Sequence, residues 1–288
     1  MRGPKPRIGI TLGCPCGIGP EVVEKALADS RVRRALVPVV FVTAKGFKPG
    51  RPDARAGRAQ HRFVLEAIDA AHDGLVDALC TAPVSKETII RAGIPFSGHT
   101  ELLAEAFGCE TLMLLAGPRL KVALATNHLP LAKVPGALKT PKLVRQLELL
   151  SRALTVGKKR PRLTREGDDH RSRATPGAEA TAAVGGARPK IAVTGLNPHA
   201  GEGGKMGREE LDVIAPAVKR ARAKGLDVHG PFAADGLFAG LSTGRFSYDA
   251  VLAMFHDQGL CVAKALDFEE TVNVTLGLPL PRTSPDHG

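Results

Sequence analysis

Three histidines stand where apolar runs give out. MFHDQG places His256 after YDAVLAM, NHLPLAK places His128 after LKVALAT, and LNPHAGEGG places His199 after KIAVTG. Imidazole nitrogens are common metal ligands, and three around one centre leave coordination positions open, as a catalytic divalent ion requires. Zn²⁺ suits such nitrogens, with Co²⁺, Ni²⁺ or Mn²⁺ admitted by geometry. Any one of these residues alone reads as a packed or solvated bystander; three at corresponding positions support the metal reading. Asp257, Asp235 and Asn197 then fall where contacts to the ligating imidazoles or to a substrate are needed.

Other turns carry weaker signals. GCPCGIGPE, residues 13 to 21, combines three glycines with Pro20 at a helix start, which fits either a tight turn or an anion site, and it is not the dinucleotide G-x-G-x-x-G. In PVSKETI, Ser85 is placed to cap a helix with Lys86 and Glu87 beside it. In FSGHTELLAE, His99 and Thr100 follow a glycine at a helix start, with Thr100 the candidate N-cap.

Composition sets the frame around these residues. The 288 residues, 43% of them hydrophobic, suffice for one large α/β unit or two lobes. No window approaches a membrane span, and the N-terminus passes into RIGITL without the apolar core of a signal peptide, so a cytoplasmic protein with no membrane partner is expected. The five cysteines, Cys14, Cys16, Cys80, Cys109 and Cys261, are odd in number and read as reduced thiols. The net charge of +11 points to acidic partners, but nine basic against four acidic residues sit within 157–190 alone. That stretch lacks periodicity and base-stacking aromatics, so 157–189 reads as a disordered surface insertion and not as a nucleic-acid arm.

Strand-like and helix-like patterns alternate along the chain. RIGITL, VPVVFVT, VDALCTA, TLMLLAG, LKVALAT, KIAVTG, DVHGPFAA, YDAVLAMF and TVNVTLGLP read as strands; PEVVEKALADS, HRFVLEAIDAAH, TPKLVRQLELLSRAL and REELDVIAPAVKRARAKG read as helices. Short β-branched runs separated by helices predict a largely parallel sheet with helices on both faces, in which ligands bind beyond the carboxyl ends of the strands. The expected lobes are residues 1–126 and 127–288.

The stretches ITLGCPCGIGPE, TAPVSKETI, FSGHTELLAE, ATNHLPLAKVPGAL, GLNPHAGEGGKMGREE, MFHDQGLCVAK and VNVTLGLPLPRTSPDHG together resemble the 4-hydroxythreonine-4-phosphate dehydrogenases of vitamin B6 biosynthesis, the PdxA family. The resemblance implies a two-lobed α/β fold like that of isocitrate and isopropylmalate dehydrogenases, with the active site in the interlobe cleft. It also implies a homodimer in which one metal ligand crosses from the neighbouring subunit. His128, His199 and His256 take the role of ligands to one divalent metal (Zn, Mg, Co, Mn or Ni), and His99, Thr100, Lys264, Asn273 and Arg282 that of substrate contacts, Lys264 also counting as catalytic. The implied reaction is NAD- or NADP-dependent oxidation of 4-phosphohydroxy-L-threonine followed by decarboxylation to 3-amino-2-oxopropyl phosphate. Gly201, Gly203, Gly204 and Asn273 are assigned to the nucleotide. A threonate or erythronate 4-phosphate dehydrogenase, or a non-catalytic descendant binding anionic polymers through the basic stretch, are the alternatives.

The sequence departs from the family pattern in four places. Cys14 and Cys16 replace an acidic and a small residue, KGFKPGRPDARAGRAQ stands where a strand or helix of the first lobe is expected, the basic stretch is long, and the sequence stops at DHG where the family continues through a helical segment. Edge helices cover sheet faces, so the shorter end is expected to weigh against a total stability of about 5–15 kcal/mol.

Overall fold

The computed structural model of the chain describes residues 4–42, 46–158 and 188–285. Along it run β1 (Arg7–Thr11), α1 (Gly19–Ala28), α2 (Ser30–Ala35), β2 (Val37–Phe41), α3 (Ala54–His72), β3 (Ala78–Thr81), α4 (Lys86–Arg91), α5 (His99–Ala106), β4 (Leu112–Ala116) and β5 (Lys121–Leu124). There follow α6 (Val134–Ala137), α7 (Thr140–Lys158), β6 (Ile191–Thr194), α8 (Ala215–Ala223), β7 (Val228–Phe232), α9 (Ala234–Thr243), β8 (Ala250–Ala253), α10 (His256–Asp267), β9 (Val272–Leu276) and β10 (Arg282–Ser284). Most of the basic stretch, residues 159–187, lies outside the described residues. Among the described residues no helix is long and apolar enough to cross a membrane.

Two compact units result, Met1–Val134 with Ala253–Gly288, and Pro135–Leu252. This differs from the single break expected at 126/127, because β9 and β10 return the chain to the first unit. The order there is β2-β1-β3-β10-β9-β4-β5. β2, β1, β3 and β10 are parallel, whereas β10-β9, β9-β4 and β4-β5 are antiparallel. Residues 117–120 alone join β4 to β5, too few for a crossover, so that pair is a hairpin inside an otherwise parallel reading.

Helices cover both faces of this sheet. Ile8, Ile10 and Leu12 of the β1 segment pack with Val23 and Leu27 of α1. On the opposite face, Val64, Ala67 and Ile68 of α3 pack on Val76, Leu79, Val39 and Phe41. α3 begins earlier than the apolar pattern indicates: Asp53 caps it by accepting from Ala56 N at 2.7 Å. The stretch that reads as a replacement for missing structure thus supplies the helix's first turns, where Ala56 and Gln60 are fully buried. In the second unit β8, β6 and β7 run parallel in that order, and every residue of β6 and β8 is buried. Leu143, Leu147 and Leu150 of α7 and Val218 and Ala221 of α8 are buried in this unit.

Candidate active site

In the first unit, the segments leaving β5 and β8 are stitched together. Ala125 N donates to Ala253 O at 2.8 Å, Thr126 Oγ1 to Met254 O at 2.8 Å, and Met254 N to Gln258 Oε1 at 2.7 Å. The His128 and His256 rings consequently stand 5.6 Å apart between centroids, their planes at 45°. They line a concavity of about 300 Å³ with Asn127, Leu131, Val134 and Phe255. His256 opens α10 and lies 2.6 Å from Asp257 through Nδ1. A proton held on Nδ1 by that carboxylate leaves Nε2 as the free lone pair. Burial first, then His256 and Lys86, pushes the His128 pKa below its ordinary value, with Glu101 pulling the other way. Among the described residues, no three His, Cys, Asp or Glu side chains group to hold a metal ion.

His199 belongs to the second unit and is exposed. Its turn is left-handed: His199, Ala200 and Glu202 have φ of 52°, 52° and 45°, with Gly201 and Gly203 at 76° and 68°. Non-glycine residues persist there only when surroundings enforce it. The enforcing group is Glu210, 3% exposed, which accepts from Leu196 N at 2.8 Å, Asn197 N at 2.7 Å and Asn197 Nδ2 at 2.9 Å. Burial raises its pKa, and the hydrogen bonds from Asn197 and Leu196 more than offset it, leaving the carboxyl below its ordinary value. Asp235 lies exposed in the first turn of α9, also in the second unit.

A second group of polar residues converges at β3, β9 and β10. Arg282, 3% exposed, donates to Thr275 Oγ1 at 2.9 Å and to Thr81 Oγ1 at 3.2 Å from Nε and 2.5 Å from Nη2. Among the described residues no carboxylate lies within ion-pair distance of it, and burial pushes its pKa down to about 10. His99 Nε2 and Asn273 Oδ1 are buried without a hydrogen-bond partner, and so is Asn127 Oδ1. Burial, then Arg282 and Lys86, pushes the His99 pKa down to about 3, so this ring is neutral. A buried guanidinium held only by hydroxyls, with an unsatisfied imidazole in its surroundings, has the donor chemistry that fits an anion.

Thr100 is not the N-cap, since α5 begins at His99 with Gly98 before it. Ser85 is a cap and accepts from Thr88 N at 3.3 Å. Lys264 lies in α10. The five cysteines are free, Cys14 and Cys16 buried and Cys261 exposed. Sequence reasoning missed Thr81, Thr275 and Glu210. Threonines in β-branched runs carry no signal beyond strand propensity, and one acidic residue in GREE resembles any other.

The family model for the pyridoxal phosphate biosynthetic protein PdxA matches residues 20–166 and 174–288. The chain belongs to the PdxA family. Among curated PdxA relatives, the 4-hydroxythreonine-4-phosphate dehydrogenase of Burkholderia vietnamiensis is 42% identical over 98% of this chain and 88% of its own length, and that of Trichlorobacter lovleyi 37% over 100% and 91%. The crystal structure of the Klebsiella pneumoniae 4-hydroxythreonine-4-phosphate dehydrogenase matches with a TM-score of 0.77 at 34% identity, over 99% of this chain and 90% of that one. A terephthalate 1,2-cis-dihydrodiol dehydrogenase from Burkholderia xenovorans matches with a TM-score of 0.65 at 26% identity, covering 99% and 90%.

Proposed function

We propose that the chain is a nicotinamide-dependent dehydrogenase that oxidises 4-phosphohydroxy-L-threonine and releases CO₂, giving 3-amino-2-oxopropyl phosphate for pyridoxal phosphate synthesis. The observation that carries this reading is Arg282, a buried cation with neutral partners and unsatisfied His99 and Asn273 in its surroundings. A phosphate supplies what that pocket lacks: oxygens to accept from guanidinium, imidazole and threonine donors in a fixed fork. The family resemblance also names Thr100, which follows His99 on α5, and Lys264, on α10, as substrate contacts.

The donor chemistry of His128 and His256 suits a divalent metal: burial lowers the pKa of the first, which favours its lone pair, and the second has its Nδ1 turned to Asp257. The family resemblance names His199 as a further imidazole ligand. When bound, Zn²⁺ or a related ion polarises the substrate hydroxyl and the ketone made from it. The residues themselves orient the hydroxy acid, so that the C3 hydride leaves to NAD or NADP and the hydroxyl proton is lost. The carboxylate then departs as CO₂, its electron pair passing to an enolate that is later protonated. Gly203 has nothing within 4 Å of a would-be Cβ, which leaves its own backbone open to a nucleotide, whereas Gly201 is packed on Glu210 and Gly204 on Leu211; the family resemblance adds Gly201, Gly204 and Asn273 as nucleotide contacts. The same reading makes the chain a cytoplasmic homodimer.

Purified protein with 4-phosphohydroxy-L-threonine, divalent metal and NAD⁺ or NADP⁺ is expected to produce reduced nicotinamide, followed at 340 nm as on the order of 1–100 turnovers per second. Threonate and erythronate 4-phosphates run alongside; a faster rate with either would reassign the substrate, and silence with all three would remove the dehydrogenase reading. Metal analysis is expected to find close to one ion per chain in wild type and a loss in His256→Ala.

A further inference from the structure

Lys86 has no part in the reaction as set out above, yet it lies among the groups that do. It opens α4, directly after Ser85, whose backbone N donates to the buried Gln60 Oε1 at 2.7 Å. The backbone carrying Lys86 is therefore fixed from α3. The side chain is exposed and, among the described residues, forms no ion pair. Its Nζ nonetheless stands 3.3 Å from the point that a Cβ on Gly98 would occupy, and Glu101 Oε2 crowds the same point. A side chain at position 98 would meet Glu101 first and the ammonium next, so both charged groups stand beside the glycine ahead of His99. The Lys86 charge depresses the pKa of both His99 and His128, whereas Glu101 acts on His128 and Arg282. The ammonium is within electrostatic reach of the Arg282 pocket and of the histidine pair.

A phosphorylated hydroxy acid brings two anionic groups. The phosphate satisfies Arg282 and His99, and a carboxylate a few bonds away needs its own countercharge. A lysine without an ion pair among the described residues, whose charge is felt by both His99 and His128, is suited to that as a mobile point charge able to release the carboxylate when it departs. We propose that Lys86 is the contact for the substrate carboxylate, a specificity residue for the reaction proposed above, on which this assignment rests.

Lys86→Ala tests it with little danger to folding, since the side chain is exposed. KM for 4-phosphohydroxy-L-threonine is expected to rise about 30-fold with kcat within about three-fold, as loss of one charge-assisted contact predicts, and Lys86→Arg is expected to recover most of it. Inhibition by 3-amino-2-hydroxypropyl phosphate, which carries the phosphate but no carboxylate, is expected to stay within about two-fold of wild type. An unchanged KM, or an inhibition constant that rises in parallel with KM, would overturn the assignment. If wild type forms no reduced nicotinamide, the dehydrogenase reading fails on its own. Calorimetric titration of both phosphorylated compounds then decides Lys86: the preference for the carboxylate-bearing one must shrink about 30-fold in Lys86→Ala. Equal preference in both proteins would reject it.

Discussion

Arg282 carries its charge to a place that water barely reaches, with two threonine hydroxyls for company. Desolvating a guanidinium without a counterion is unfavourable, so an apolar residue of similar size is expected to hold the fold as well or better. Arg282→Met should leave the unfolding free energy unchanged or raise it by about 1–3 kcal/mol in urea titrations, while kcat/KM falls at least about 100-fold. A matching loss of stability would mean that the arginine serves the fold. His99 makes a pH-dependent prediction: its folded pKa, about 3, lies below the ordinary 6.5, so the unfolded chain binds more protons between those values. Its contribution is therefore complete above pH 6.5 and declines as pH falls toward 3, by at most about 1.4 kcal/mol per pH unit. His99→Gln should flatten this part of the stability curve. The histidines were legible because rare side chains ended apolar runs; Lys86 was legible only as a neighbour of a capping serine, since nothing local in PVSKETI marks what lies across from it.

Elements were legible where periodicity was strong and lost where chemistry interrupted it. β1 to β9 all fall within the apolar runs that predict them, but α10 reads poorly because His256, Asp257 and Gln258 occupy its first turn and Gly259 follows. That glycine has a steric reason: a Cβ there would collide with Val122 Cγ1 of β5 and come within 3.1 Å of Ala253 Cβ. Gly259→Ala should push α10 off the sheet and carry His256 with it. The expected result is a loss of about 2 kcal/mol or more with weakened metal retention, read by thermal unfolding and metal analysis on one preparation. α3 was read seven residues short at its start, because the ARAGRAQ turns lack an apolar stripe and only Asp53 marks the cap. Asp53→Ala should cost about 1 kcal/mol and leave kcat/KM unaltered.

At the scale of the whole molecule, the α/β class followed from alternation, but the division into units did not. Local patterns cannot reveal that β10 pairs with β3, a partnership between residues such as Arg282 and Leu79 set far apart in sequence. The excess positive charge was legible, and residues 157–190, with nine basic against four acidic side chains, supply about half of the net +11. Excision of 159–187 is expected to leave kcat/KM within about two-fold and to weaken retention on an immobilised polyanion, which a salt-gradient elution measures. β9 and β10 lie between β3 and β4 in the first unit. During synthesis, residues 1–134 leave the ribosome with a two-strand gap in their sheet, and Arg282 enters that gap only after the whole second unit has been made. The first unit therefore closes through contacts that span well over a hundred residues of sequence, which slows its folding relative to a sheet closed by neighbouring strands.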